Sequence, residues 1–511
     1  MAADLFHPFH DRIVGARGDD QDRGRDRDYD RDRWRQRARS ALPWALAATL
    51  FALYAALAVR DQQRMTTTGY DLGIFDQAVR AYAHGHLPIS TLKGPHYDLL
   101  GDHFSPIIAT LAPLYLLWPS AYTLLLAQAA LLAVGVVPLS RWATVELGAR
   151  AGMAVGLIYG LSWGIASADG FDFHEVAFGV PLLAFSATAL GRHRLHAAVF
   201  CALPLLLVKE DLGFTVAVIG VIAALRGAKV LGLAAAVIGI SGSVIEIEVL
   251  IPAANHAGYA YTSSLFSSGP AQGGTVAHLL YDALHLFLPH VKIITVIQLL
   301  APTAFLAARS PLILLAVPTL AWRFLSDDPK YWGTIFQYSA VLMPIVAAAF
   351  IEALIRRRAR SRARLPSSPR PWYAGIAPPL VIGLIVTAVL LPSYPFAKLA
   401  HPGEWSTPPG IAVARSVLQR IPDGANVSAS NTLIPQLTDR ANVYLFEAAT
   451  LPSVDWIVLD TQSDNTFPLS SAASAQLVVT AEHDGFQIIE YRDGILLLDR
   501  RSTVVYQFHH G

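Results

Sequence analysis

The feature that most constrains the fold of this chain is a succession of apolar runs separated by short polar segments. A helix needs roughly 17 to 25 apolar residues to cross a bilayer, or somewhat fewer when polar helical turns flank it. Eleven runs fit this description, near residues 42–59, 121–140, 151–168, 176–190, 195–208, 212–225, 230–250, 291–308, 311–325, 338–355 and 373–391. The sequence therefore predicts an all-α polytopic membrane protein with about eleven transmembrane helices.

Composition supports this prediction and excludes several other classes of protein. The 511 residues are 53% hydrophobic and only 15% charged, which is too apolar for a soluble protein of several domains. The net charge of +1 argues against nucleic acid as a partner and leaves the lipid bilayer as the expected one. The single cysteine, Cys201, excludes an intramolecular disulfide and a cysteine-cluster metal site.

Basic residues define the expected orientation, because Lys and Arg are retained in cytoplasmic loops. With eleven spans, the following basic segments and residues all fall on the same side of the membrane: 31–40, Arg141, Arg150, 191–194, 226–229, Arg309 and 356–364. We therefore expect a multi-pass protein of the plasma membrane with a cytoplasmic N-terminus. Acidic and aromatic segments then emerge on the extracytoplasmic side, at 66–85, 168–178, 208–214, 326–339 and after 392.

One apolar segment does not fit the count of spans. The segment FSPIIATLAPLYLLWPS, residues 104–120, is apolar enough to cross, but a span there would place the later arginine clusters outside. We therefore expect a re-entrant or interfacial helix on the extracytoplasmic side, with its backbone hydrogen bonds satisfied internally.

The two ends of the chain differ from its centre, so three regions are expected. Residues 1–40 are rich in Arg and Asp and poor in apolar residues, which predicts a disordered cytoplasmic arm. Residues 41–392 form the polytopic transmembrane domain. From 393 to 511, short β-branched runs such as NVYLFE and DWIVLDT follow the helical pattern GIAVARSVLQRI, which predicts a small extracytoplasmic α/β domain.

Two carboxylates, Asp71 and Asp76, follow the first apolar run in the segment TTTGYDLGIFDQAVRAYAHG, residues 66–85. A structural interpretation is available for both, because Asp71 is placed to cap a helix and Asp76 is spaced to pair with Arg80. Acidic and His residues nevertheless recur at the extracytoplasmic ends of the spans: Asp98, Asp102, His103, Asp169, Asp172, His174, Glu175, Glu210, Asp211, Asp327 and Asp328. Ionised groups near the hydrocarbon region usually have a partner or a task. We therefore expect a common acidic cavity.

Such a cavity is suited to three kinds of chemistry. Carboxylates beside imidazoles can hold a divalent metal ion, for which Asp172 and His174 are the candidate ligands. They can also act as a general base for a hydroxyl, or bind transported cations. Donors on the same side, which would suit an anionic group such as a phosphate, come from Lys209, Lys330, Tyr331 and Tyr338.

Five motifs in this order resemble a known family: YDLGIFDQAVRAYAHG, GDHFSPIIATLAPLYLLWPS, FDFHEVAFGVPLL, LLLVKEDLGFTVAVIG and SDDPKYWGTIFQYSAVLMPI. Together they are similar to a prokaryotic family of predicted polytopic membrane proteins, which is catalogued as a domain of unknown function. That family is grouped with the GT-C glycosyltransferases, which use polyprenyl-phosphate sugars. The resemblance covers roughly residues 45–390, so the C-terminal domain lies outside it or at its edge.

The resemblance implies a GT-C-like fold and roles for particular residues. By position, Asp71 corresponds to the acid of the first extracytoplasmic loop, with Asp76 as the alternative catalytic residue, while Asp172, His174 and Glu210 belong to a later acidic set. The residues expected to bind substrate are His103, Lys209, Glu210, Asp211, Lys330, Tyr331 and Tyr338. The implied function is transfer of a sugar from a polyprenyl-phosphate donor at the outer face of the membrane.

Two other classes of function stay open from the sequence. A transporter or flippase of lipid-linked precursors would use polar residues within or near the spans, namely Glu246, Glu248, Arg323 and Glu352. A non-catalytic assembly protein would use the C-terminal domain to bind a partner, and its acidic residues would serve as helix caps and in ion pairs.

Overall fold

The computed structural model describes residues 41–255, 258–261, 287–363 and 375–500. The arm expected at 1–40 lies outside the described residues. The helices are α1 Ala41–Gln63, α2 Ile74–Ala83, α3 Ala112–Leu117, α4 Ala121–Val134, α5 Val136–Leu147, α6 Ala149–Gly160, α7 Trp163–Asp169, α8 Val176–Gly191, α9 Leu195–Ala202, α10 Leu212–Leu225, α11 Lys229–Ile245, α12 Ile251–Ala254, α13 Val291–Leu300, α14 Val317–Leu325, α15 Leu342–Ala363, α16 Ala377–Leu390, α17 Pro409–Leu418 and α18 Ser471–His483. The strands are β1 Asn426–Ala429, β2 Asn442–Leu445, β3 Trp456–Asp460, β4 Phe486–Arg492 and β5 Ile495–Arg500.

Within the described ranges, four continuous helices are long and apolar enough to cross a membrane: Ala41–Gln63, Ala121–Leu147, Lys229–Ala254 and Gln337–Ser361. The pair α6 and α7 makes a fifth if it is one span bent by 48°. Shorter apolar helices occupy Pro106–Leu117, Val176–Gly191, Leu195–Leu207, Leu212–Leu225, Val291–Thr303, Pro311–Leu325 and Ala377–Ser393. The prediction of a mostly helical, multi-pass membrane protein is confirmed. The described part of each of the eleven predicted runs is mostly helical, but eleven crossings stay a prediction.

Small residues allow the helices α10 and α11 to pack closely against each other. α10 and α11 approach so closely that a Cβ on Gly220 would lie 2.5 Å from the carbonyl oxygen of Gly232. A Cβ on Gly239 would likewise lie 2.4 Å from the carbonyl oxygen of Gly213. Small residues at such contacts are typical of packed membrane helices, because they bring the two backbones together. The contact holds the beginning of α10 in place directly after the acidic residues at 210 and 211.

The segment expected to be re-entrant or interfacial forms tight turns at Pro106–Leu111 that continue into α3. Tyr115 is buried on one side of this short helix, while Leu117 and Trp118 at its end are exposed. The helix is apolar on its exposed side as well, which is typical of a segment in contact with lipid. Its position at the membrane surface stays a prediction.

The predicted C-terminal α/β domain contains a five-stranded sheet of order β2-β1-β3-β5-β4. β1 pairs with β2 and β3 in parallel, whereas β5 pairs with β3 and β4 in antiparallel fashion. The parallel strands carry buried Val427, Ala429 and Val458. A small C-terminal sheet, as predicted from the β-branched runs, is therefore present.

The sheet region docks onto the segment that follows α1 through backbone contacts. The N–H of Gly69 donates to the carbonyl oxygen of Asn431 at 2.7 Å, and the N–H of Tyr70 donates to the Asn431 side-chain oxygen at 2.9 Å. Arg80 donates to the carbonyl oxygens of Thr438 and Ala441 at 3.0 and 2.9 Å. These bonds hold Arg80 against the sheet region and give it a role other than the expected pairing with Asp76.

Gly69 is required by this docking, because a Cβ there would lie 2.6 Å from the side chain of Ile434. We expect Gly69→Ala to destabilise the protein by about 1 to 3 kcal/mol through overpacking. The measurement is thermal unfolding of the detergent-solubilised protein. Gly403→Ala is the control, since nothing lies within 4 Å of its added Cβ. In a protein that already carries Ile434→Ala, adding Gly69→Ala should cost less stability than it does in the unaltered protein, because the contact with the Ile434 side chain is gone. An unfolding midpoint for Gly69→Ala equal to that of the unaltered protein would contradict the steric argument.

Candidate functional site

A cavity of about 940 Å³ lies between the helices and the edge of the sheet region. Its polar lining comes from segments far apart in the chain: Thr68, Tyr70, Asp71, Lys93, Asp102, His103, His174, Glu175, Lys209, Glu210, Asp211, Tyr259, Tyr261, Asp328, Lys330, Tyr331, Tyr338, Asn431 and Asn465. The volume is within the range of about 300 to 1,000 Å³ that is usual for small-molecule sites.

Asp71 lies opposite His174 in this cavity. It belongs to a wide helical turn, Gly69–Gly73, and its carboxylate is 27% exposed, with Oδ2 3.4 Å from Nε2 of His174. The N-terminus of α2 has no side-chain cap, so the expected capping role of Asp71 is not what the structure shows. Burial lowers the pKa of His174, but attraction to the neighbouring carboxylates, Asp71 foremost, outweighs it and raises the pKa above its usual value.

Gln128 holds the loop that carries His174. Its side-chain oxygen accepts from the N–H of His174 at 3.0 Å, and its amide donates to the carbonyl oxygens of Ala168 and Asp172. The ring of Phe171 stacks on the imidazole with 5.5 Å between the ring centroids. The imidazole is therefore fixed relative to Asp71 by a polar residue inside an apolar helix.

Asp172 does not line the cavity, although it was expected to act together with His174. Its Oδ2 accepts from the N–H and the hydroxyl of Thr68, at 3.0 and 2.5 Å, and so supports the turn that carries Asp71. Burial raises the pKa of Asp172 to about 7. Among the residues that the structure describes, no group of three or more His, Cys, Asp or Glu side chains is arranged to hold a metal ion. A metal bound by Asp172 and His174 therefore lacks a third ligand of these types there.

Two buried ion pairs line the next part of the cavity. Nζ of Lys209 lies 2.8 Å from Oε1 of Glu175, and Nδ1 of His103 lies 2.7 Å from Oε1 of Glu210. Tyr259 also donates to Glu210, at 2.7 Å. Burial raises the pKa of Glu210, but the charges on His103 and Lys209 outweigh it and bring the pKa down to about 2. These residues therefore compensate one another, as buried charges must.

A third ion pair joins Asp102 to Lys93, a lining residue that sequence reasoning did not assign to the site. Nζ of Lys93 lies 3.0 Å from Oδ2 of Asp102 and donates to the hydroxyl of Tyr70, also at 3.0 Å. Tyr261 donates to the other oxygen of Asp102 at 3.3 Å and stacks on His103. Asp102 was noted in the sequence as one of the recurring acids, but no pattern there distinguishes Lys93 from other lysines.

The expected donors of the 326–339 segment also reach the cavity. The rings of Tyr331 and Tyr338 meet edge to face with 4.8 Å between centroids, and Trp322 packs on both. The buried guanidinium of Arg323 donates to the carbonyl oxygens of Tyr331 and Gly333 and to the hydroxyl of Ser339, which holds the segment in place. Lys330 is exposed, and its ammonium has no ion-pair partner among the described residues.

Asp211 keeps one carboxylate oxygen available on the cavity wall. Its Oδ2 accepts from the indole N–H of Trp322 at 2.8 Å, whereas its buried Oδ1 has no hydrogen-bond partner within the described part of the chain. An unpaired buried acceptor is costly, so it marks a place where a ligand hydroxyl would be favoured.

Asp76, the alternative catalytic residue, is fully buried away from the cavity lining. It accepts a hydrogen bond from Tyr115 of α3 at 3.3 Å, and burial raises its pKa to about 7. Its place beside a helix rather than in the cavity makes it part of the packing between α2 and α3.

Part of the cavity lining is apolar. It is formed by residues of α10, α14 and the segment after α11, namely Phe214, Ile247, Pro318, Ala321 and Leu325. Four of these residues belong to the shorter apolar helices Leu212–Leu225 and Pro311–Leu325, so one cavity combines charged groups with an apolar helical surface.

The sequence as a whole matches a family model described as "Predicted membrane protein (DUF2079)" over residues 62–497. The chain belongs to this family. The match extends beyond residue 390 through most of the sheet, so the expectation that the C-terminal domain lies outside the family or at its edge is wrong. Membership of a family of this description was the prediction from the five motifs, and it is confirmed.

Solved structures similar to this DUF2079 protein include two that contain a bound lipid phosphate. ArnT from Cupriavidus metallidurans, bound to undecaprenyl phosphate, is 14% identical; the alignment covers 89% of this chain and 98% of that one, with a TM-score of 0.49. The archaeal oligosaccharyltransferase AglB from Archaeoglobus fulgidus, in complex with an inhibitory peptide and a dolichol-phosphate, is 10% identical, with coverage of 90% and 75% and a TM-score of 0.33. The comparison with curated proteins found no match.

The burial of Asp76 gives a testable pH dependence of stability. Burial raises the pKa of the Asp76 carboxyl from 3.8 to about 7. The stability that the protonated carboxyl contributes is therefore full below the pKa of the unfolded chain, and it is lost as the pH rises through about 7. Between pH 5 and pH 8, we expect the unaltered protein to lose about 2 to 3 kcal/mol of unfolding free energy relative to Asp76→Asn, since each pH unit between 5 and about 7 contributes about 1.4 kcal/mol. Thermal unfolding of both proteins across this range measures the difference. A difference that does not change with pH would show that Asp76 is ionised in the folded protein.

Proposed function

We propose that this DUF2079 protein is an integral-membrane glycosyltransferase of GT-C type, which takes a sugar from a polyprenyl-phosphate donor at the extracytoplasmic face. The observation that supports this most directly is the cavity itself. It is lined by a lysine that has no ion-pair partner among the described residues, by a partly exposed carboxylate and by the apolar side chains of helices, as a lipid-linked phosphosugar would need.

The proposed orientation follows the basic residues. The N-terminus and the arginine clusters lie in the cytoplasm, about eleven helices cross the membrane, and the sheet region lies outside. The cavity then opens at the outer leaflet, beside the sheet region that lines it through Asn431 and Asn465. The first isoprene units would lie against Phe214 and Leu325, because burial of apolar surface there favours a lipid chain.

Lys330 is the residue that we assign to the donor phosphate. Its ammonium has no ion-pair partner in the described ranges, whereas Lys209 is already bound to Glu175 at 2.8 Å. A cation at the phosphate stabilises the charge that develops as the bond from the anomeric carbon to the phosphate oxygen breaks. Lys209 would instead have a structural role, because its attraction to Glu175 and Glu210 holds these residues of the cavity wall in place.

Asp71 is the residue that we assign as general base. Its carboxylate takes the proton of the acceptor hydroxyl while that oxygen forms a bond to the anomeric carbon, and polyprenyl phosphate leaves from the opposite side of the sugar. The displacement inverts the configuration at this carbon. His174, whose pKa is raised by Asp71 and the neighbouring carboxylates, orients the Asp71 carboxylate from 3.4 Å. Asp211 Oδ1 is available for a sugar hydroxyl.

Transport is the competing function, and two of its expected residues are already bound within the fold. Glu352 lies 2.9 Å from both Arg226 and Arg356, and it accepts from Ser310. Arg323 is buried and donates one hydrogen bond from each of its three nitrogens to the 331–339 segment. Neither is therefore available to a transported ion without breaking buried contacts, which favours transfer over transport.

The assignment of the base is tested by a pair of acidic residues. Asp71→Asn should lower transfer of a labelled sugar from polyprenyl phosphate by about 100-fold or more, since general base catalysis contributes about that much. Asp76→Asn should leave it near the unaltered level, because Asp76 lies outside the cavity. Both are assayed in membranes at matched expression. Unchanged turnover in Asp71→Asn, or equal losses in both variants, would remove Asp71 from the mechanism.

The assignment of the phosphate ligand is tested by neutralising one lysine. We expect Lys330→Gln to raise KM for the lipid-linked donor by about tenfold, the effect of losing one charge-assisted hydrogen bond. Lys229→Gln removes the same charge from an exposed position outside the cavity and serves as the control. If KM is the same in both variants, Lys330 does not contact the phosphate.

A further inference from the structure

A second cavity, of about 380 Å³, lies in the sheet region where the parallel strands end. Its lining includes the residues that follow β1, Thr432 and Leu433, and those that follow β3, Gln462 to Asn465. The chain passes from β1 to β2 on one side and then returns to β3 on the other. The cavity therefore lies at the point where the strand order reverses, which is where parallel sheets place ligands.

A buried hydroxyl points independently to a ligand in this cavity. Thr432 lines it and is only 9% exposed, yet its Oγ1 has no hydrogen-bond partner within the described residues. Buried hydroxyls normally have a partner, and an unpaired one costs roughly 1 to 3 kcal/mol. A polar ligand would supply the missing bond.

The charges of the cavity limit the chemistry of that ligand. Asp460, Asp464 and Asp493 line it, and none has an ion-pair partner in the part of the chain that the structure describes. Arg64 is the one cation in the lining, and its guanidinium is bound to Glu404 at 3.2 Å and to the carbonyl oxygen of Ser406 at 2.7 Å. The cavity thus offers acceptors to hydroxyl and amino groups and repels anions.

The two cavities adjoin at one residue. Asn465 lines both, and its side-chain oxygen accepts from Asn431, whose own oxygen accepts from the N–H of Tyr70. A ligand in the second cavity therefore lies next to the wall of the cavity that contains Asp71.

We propose that the second cavity binds an uncharged or amine-bearing sugar of the acceptor, through the hydroxyl of Thr432 and the carboxylates of Asp460, Asp464 and Asp493. That this sugar is the acceptor rests on the proposed transferase function. That the cavity binds the sugar is independent of the transferase function, because binding requires no lipid-linked donor.

The test is titration of the full-length protein in detergent with D-glucosamine, D-glucose and D-glucuronate, without any lipid donor, followed by calorimetry or saturation-transfer NMR. We expect glucosamine and glucose to bind, glucosamine about tenfold more tightly because its ammonium meets carboxylates, and glucuronate not to bind. Absence of saturable binding by all three sugars, or equal binding of glucuronate, would overturn the proposal.

Two variants locate the binding. Thr432→Val keeps the shape of the side chain, so we expect an unchanged or higher unfolding temperature but about tenfold weaker sugar binding. Asp464→Asn should remove the preference for glucosamine over glucose. Lys229→Gln, at an exposed position outside both cavities, should leave both affinities unchanged. Full sugar binding in Thr432→Val, an unchanged preference for glucosamine in Asp464→Asn, or loss of binding in Lys229→Gln would place the sugar elsewhere.

The two proposals fail separately. Sugar binding with no detectable transfer from a polyprenyl-phosphate donor would support the second cavity and count against the transferase function. Transfer without sugar binding at the second cavity would support the transferase function and count against the second cavity as a sugar site.

Discussion

The compensation of charges buried at the ends of apolar helices is the constraint on which this structure depends. Removing an ion from water costs several kcal/mol, roughly, unless a partner and further hydrogen bonds replace the solvent. Lys209 with Glu175 and His103 with Glu210 satisfy this condition across segments more than thirty residues apart in sequence. Each pair therefore also fixes the position of one loop against another. The cavity is the space that remains once these loops have met.

The need of a buried charge for a partner also distinguishes residues that hold the structure from residues that can bind a substrate. A charge that has a buried partner cannot readily be given to a ligand, so Lys209 and Glu210 serve the architecture of the wall. Asp71 and Lys330 differ, because the first is partly exposed beside a histidine and the second has no ion pair in the described residues. The available charges lie next to an apolar wall, and this combination gives the proposed lipid-linked substrate its physical basis.

Hydrophobic periodicity and length were enough to predict the helices and the C-terminal strands, because burial in lipid or in a sheet leaves a pattern in the local sequence. Local sequence did not separate Asp71 from Asp76. Both precede or begin the same helix, and only the tertiary packing of Tyr115 shows that Asp76 is buried elsewhere. Arg80 was expected to pair at the spacing of one helical turn, but its partners are carbonyl oxygens about 360 residues later. Lys93 could not be predicted, since its neighbours come together only in the fold.

Two hydrogen bonds join Asn431 to the turn at 69–73, so the position of the proposed base depends on two regions of the chain. The membrane part supplies the carboxylate, but its backbone is held by a residue beyond the last membrane helix. Evolution cannot then exchange the C-terminal region for an unrelated module while keeping the same reactive geometry. Recombination between relatives should preserve the pair as one inherited unit.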